Sequence, residues 1–68
     1  MNKQLLKAEM VRYGDTQESL AAAMGISLSR LNAKINSEHA EFRQNEILFI
    51  KRRYALDADS INAIFFDI

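Results

Sequence analysis

Between Thr16 and Leu31 the chain reads Thr-Gln-Glu-Ser-Leu-Ala-Ala-Ala-Met-Gly-Ile-Ser-Leu-Ser-Arg-Leu, an order that few folds accept. Thr16 is a helix-capping residue, and Leu20 and Met24 lie four apart on one helical face. Ala21 is small where a second helix must come close. Gly25 tolerates the positive φ that ends a helix, and Ser27 caps the next one. Ile26, Leu31 and Ile35 then hold that second helix against a core. The run predicts a helix, a three-residue turn and a helix over about residues 16–36, the arrangement that presents side chains to a DNA major groove.

The rest of the chain is built to the same period. With 68 residues it makes one small domain, near the lower limit for folding without staples. It has no cysteine, which fits a reducing cytoplasm and removes disulfides and thiolate metal sites. No proline, two glycines and 49% apolar residues favour helices over strands. The apolar runs are too short to span a bilayer, and Met1-Asn2-Lys3-Gln4 has no signal-peptide core behind it.

A first helix is expected from about Lys3 to Tyr13, capped by Asn2, with Leu6, Met10 and Tyr13 on one face. Gly14 and Asp15 break it. Helices follow over about Gln17 to Met24 and Leu28 to Ile35. Residues 36–41 are polar and read as the longest loop. A fourth helix runs from about Gln44 to Tyr54, with Ile47, Ile50 and Tyr54 inward and Phe42 packing back onto Ile47 or Leu48. Asp57 caps a last helix whose apolar face is Ile61, Ile64 and Phe65. The expectation is an all-α, single compact domain of four to five helices spanning residues 1–68.

Charge is balanced, nine Lys plus Arg against nine Asp plus Glu, where a dedicated DNA-binding domain is usually basic. The distribution is uneven. Residues 27–56 carry Arg30, Lys34, Arg43, Lys51, Arg52 and Arg53 against Glu38, Glu41 and Glu46, a surplus of three positive charges. Asp57, Asp59 and Asp67 reverse it at the end. The middle of the chain can track phosphates, without a global field to steer it there.

The residues Thr16-Gln17-Glu18, Leu20-Ala21, Gly25-Ile26-Ser27, Leu31 and Ile35-Asn36 resemble the phage-repressor helix-turn-helix family of the Cro/C1, XRE type. The continuation Phe42-x-Gln44-x-Glu46-Ile47, Tyr54-x-Leu56 and Ile64-Phe65-Phe66 is similar to short Cro-like regulators of phages from Gram-positive hosts. The resemblance runs from about Leu5 to Phe66. It implies a lambda-repressor-like domain with a role in a lysis–lysogeny switch, in the cytoplasm of a bacterial host. Some members of the group bind operator DNA, and others bind the partner phage repressor protein and block it.

The candidate contact residues follow from which side of the third helix faces outward. Leu31 and Ile35 point in, so Ser29, Arg30, Asn32 and Ala33 point out, with Leu28 at the exposed start. Arg30 can pair with guanine or phosphate, and Asn32 with a base edge or the backbone. Gln17, at the start of the second helix, matches the family position that clamps a phosphate. Lys34, Asn36, Arg43, Gln44 and Asn45 are placed to hold the other strand. Leu28 stands where DNA-binding members often carry a long polar side chain. An apolar residue there can touch a thymine methyl or anchor a protein partner. The acidic residues Asp15, Glu18, Glu38 and Glu41 suit the second use, facing the basic surface of a repressor.

Phe66 and Ile68 are hard to bury together in so small a domain and are candidates for a homodimer or partner contact. Lys51-Arg52-Arg53 spreads over about 200° of helix, so it reads as helix-end stabilisation rather than one patch. His39, alone between glutamates in a loop, does not make a metal site. One histidine, no cysteine, serines without a base and no glycine-rich loop exclude the common enzymatic constellations. No cofactor and no small-molecule substrate are expected.

Overall fold

A computed structural model describes residues 1–37 and 39–67. They form α1 (Lys3–Arg12), α2 (Gln17–Met24), α3 (Leu28–Asn36), α4 (Gln44–Arg53) and α5 (Ala58–Ile61), which runs on as a wider π-helical turn over Asn62–Phe66. No strand is present among the described residues. The protein is all-α, as its apolar spacing requires.

Each helix starts where a side chain can take an orphan backbone N–H. Asn2 accepts from the N–H of Leu5 at 3.2 Å, Ser27 from Arg30 at 3.1 Å, and Asp57 from Ser60 at 2.7 Å. At α2 the exchange is reciprocal. Thr16 Oγ1 accepts from Ser19 N–H at 3.1 Å, and Ser19 Oγ accepts from Thr16 N–H at 2.9 Å. The α2–α3 turn is closed by Gly25 at φ +72°, with Ile26 N–H reaching back to the carbonyl of Ala21 at 3.0 Å. A Cβ at Gly25 would meet nothing within 4 Å, so only the backbone conformation resists a side chain there. Gly25→Ala is therefore expected to cost about 1 kcal/mol of stability, read as a lowered urea midpoint with an unchanged slope.

The core draws on every helix: Leu6, Met10, Leu20, Ala21, Leu31, Ile35, Ile50, Tyr54, Leu56, Ile61 and Ile64. Ala21 is buried where α2 and α3 pack directly together, which explains its size. Phe42 does pack inward, but it meets the ring of Phe65 edge-on at 5.5 Å, while Leu48 stays exposed. Tyr13 is more exposed than its place on the inner face of α1 suggests. Its ring stacks on Tyr54 at 5.4 Å and shields the core from outside.

The two ends of the chain meet. Asn2 N–H donates to the carbonyl of Ile64 at 2.6 Å, and the Met1 amine lies 3.2 Å from the Asp67 carboxylate. Asp67, at φ +54°, ends the π-helical turn by returning its N–H to Asn62.

Candidate nucleic-acid interface

On α3, side chains advance by about 100° per residue, so Ser29, Asn32, Ala33 and Asn36 fall within about 100° of arc opposite the core. All four are exposed, whereas Leu31 is fully buried and Ile35 nearly so. With Ser37 they line a shallow concavity of about 320 Å³. Arg30 is exposed beside this stripe, and Leu28 opens the helix with 43% of its surface accessible.

Asn32 and Asn36 are one turn apart and joined. The Asn36 amide nitrogen donates to the backbone carbonyl of Asn32 at 3.1 Å and to the side-chain oxygen of Asn32. From the other side, Lys3 Nζ donates to the Asn36 side-chain oxygen at 3.3 Å. Lys3 belongs to the first turn of α1, so a residue outside the helix-turn-helix reaches the outward stripe of α3. Sequence spacing gives no sign of this contact, because 33 residues separate the pair.

Lys34 departs from the expected place. Instead of facing a ligand it is buried, its amine 3.0 Å from Glu46 Oε1 and 3.2 Å from the Glu41 carbonyl. The reason is positional. Lys34 lies only about 60° from Leu31 around the helix, on the flank of the buried face. Glu46 also accepts from Arg43 N–H at 2.8 Å, closing the start of α4. Burial pushes the Glu46 carboxyl up. The Arg43 N–H and the Lys34 ammonium outweigh it, and the group is held below its ordinary range. Through this strut the exposed Arg43, Gln44 and Asn45 are carried beside the C-terminal end of α3.

Asp15 departs too. Its carboxylate is engaged inside the molecule rather than offered to a partner. Arg53 grips it with Nε at 2.6 Å and a second nitrogen at 2.9 Å; the Tyr54 hydroxyl donates at 2.7 Å and Ser19 Oγ at 2.8 Å. The Arg53 guanidinium, with Tyr54 and Ser19, holds the Asp15 carboxyl far below the usual carboxylate range against the opposing effect of burial. Arg53 is raised by the same bond, and Tyr54 by burial and then by Asp15. This knot ties the turn before α2 to the end of α4, and so fixes Gln17, which sits half-buried at the first position of α2.

Two cations of the basic middle are thus spent internally, leaving Arg30, Arg43, Lys51 and Arg52 facing outward. Of the other acidic residues, Glu18 and Glu41 are exposed, and Glu38 lies outside the described residues. Phe66 is 54% exposed beside the half-buried Phe65; Ile68 also lies outside the described residues. A broader concavity of about 750 Å³ opens at that end, between the start of α1, the loop before α4 and the final turn. Among the described residues no cluster of His, Cys, Asp and Glu is placed to hold a metal ion, and no helix is long and apolar enough to cross a membrane. Compared with known family models, with curated proteins and with solved structures, the chain matches none.

Proposed function

We propose that the chain is a helix-turn-helix transcriptional regulator, a binding protein rather than an enzyme, that grips operator DNA with α3 in a phage-type lysis–lysogeny switch. One observation carries the reading: α3 turns an exposed stripe of Ser29, Asn32, Ala33 and Asn36 outward while its inner face is locked by Leu31, Ile35 and the Lys34–Glu46 strut. Ser29, Asn32, Ala33 and Arg30 meet base edges, and Gln17, Asn36, Arg43, Gln44 and Asn45 serve the backbone. The molecule measures 28 × 27 × 21 Å. That is shorter than the roughly 34 Å between half-sites one helical turn apart, so a paired operator takes two copies.

The test is selection from randomised duplexes, followed by titration of the enriched site at several salt concentrations. Affinity is expected to fall steeply with salt, and Arg30→Ala to weaken specific binding about tenfold. Failure to enrich any sequence at low salt overturns the proposal.

The exposure of Leu28 favours a second reading, in which the same face docks on the DNA-binding surface of a partner repressor. In that case Leu28→Asp abolishes capture of the repressor, and the chain alone shifts no operator fragment.

A further inference from the structure

We infer that Asn32 meets the groove through its NH₂, so that the base opposite it is guanine or thymine in preference to adenine or cytosine. The inference rests on the DNA-binding reading of α3 and adds a base preference to it.

An ammonium has donors and no acceptor, so the Asn36 atom facing Lys3 Nζ at 3.3 Å is the amide oxygen. The Asn36 nitrogen must then face the other way, where the Asn32 backbone carbonyl accepts from it at 3.1 Å. The same nitrogen meets the Asn32 side chain, and two amide nitrogens cannot bond to each other. Asn32 therefore turns its oxygen toward Asn36 and its NH₂ away. Asn32 is exposed, on the shallow concavity formed with Ser29, Ala33 and Asn36.

A free asparagine reads adenine with both atoms, its oxygen accepting from N6 and its nitrogen donating to N7. Here the oxygen keeps a second lone pair but is turned along the helix toward Asn36, so it and the nitrogen are not both set on one adenine. The NH₂, turned away from Asn36, can donate to both acceptors of guanine, N7 and O6, or to O4 of thymine, whereas on adenine it finds only N7 beside the N6 donor. The methyl of Ala33, next along the stripe, suits the thymine methyl group. Lys3 and Asn36 are positioning residues in this scheme; neither needs to touch a base.

Selection from randomised duplexes with the whole chain and its variants tests the idea, with circular dichroism confirming that each variant is folded. The unmodified chain is expected to enrich a position at guanine or thymine about tenfold over adenine, and Asn32→Ala to lose that preference. The decisive variant is Asn36→Asp. A carboxylate only accepts, so it draws the Asn32 NH₂ inward and turns the oxygen out, and the preferred base changes to cytosine or adenine. Lys3→Met relaxes the preference, and Lys3→Arg, which keeps a donor, restores it. A purely structural role for Asn36 changes affinity at all sequences alike and leaves the base unchanged. An Asn32-dependent adenine in the unmodified chain, or an unchanged base with Asn36→Asp, overturns this inference alone. Absence of any enriched site overturns the DNA-binding reading as well.

Discussion

Asp15→Ala is expected to cost about 3 kcal/mol, because it removes the acceptor that Arg53, Tyr54 and Ser19 share. The side chain of Asp15 is 8% exposed and that of Arg53 33%. The guanidinium can turn partly to water, which keeps the loss below that of a fully buried pair. The Tyr54 hydroxyl cannot, since Tyr54 is 1% exposed. A domain of this size has about 3–10 kcal/mol in total, so the variant stands near the edge of folding. Thermal unfolding should move down by about 15 °C. The pH dependence separates the cause from simple loss of packing. Asp15 has its folded-state pKa depressed, so its contribution is fully present above the unfolded value near 4 and is lost as pH falls toward the folded one. The gap between the two proteins should therefore be constant from pH 5 to 8 and narrow below pH 4. A gap that stays constant into acid would contradict this account.

Lys34→Met is the second large effect, expected at about 2–3 kcal/mol. It leaves Glu46, whose side chain is 12% exposed, with the Arg43 N–H as its remaining partner. Without the ammonium, burial is expected to outweigh what Arg43 still contributes through its N–H and its charge, and to raise the Glu46 pKa above its unfolded value. Stability is then fully present below about pH 4 and is lost as pH rises through the folded value, so this variant is penalised least in acid. Adding Glu46→Gln should recover most of the loss at pH 7, since the amide oxygen still accepts from Arg43 while no charge is stranded. Urea midpoints of the single and double variants at pH 4 and pH 7 measure both claims. If the double variant is no better than Lys34→Met, the strut is acting through something other than charge.

What was legible in the sequence was local. Asn2, Thr16, Ser27 and Asp57 cap helices because each needs only an N–H three residues ahead, and Gly25 ends α2 through its own φ. The outward placement of Ser29, Arg30, Asn32 and Ala33 followed from the period of one helix. What was not legible depends on residues brought together from a distance. Lys34 and Asp15 read as surface charges until Glu46 and Arg53 come across to them, 12 and 38 residues away. The basic run at 51–53 hid the same distinction, with Arg53 turned to Asp15 while Lys51 and Arg52 face solvent. The last turn widens to a π-helix, although Ile61, Ile64 and Phe65 keep ordinary α spacing in sequence.

Asn2 acts twice, its side chain capping α1 and its N–H holding the carbonyl of Ile64. Any local opening of the first turn of α1 therefore carries the closing turn of the chain with it. Lys3 rides on that first turn. Each opening withdraws its ammonium from Asn36 and frees the amides that it orients. If α3 reads DNA as proposed, the sharpness of its base preference is then a population-weighted quantity, set by the fraction of time that the two ends of the chain spend closed.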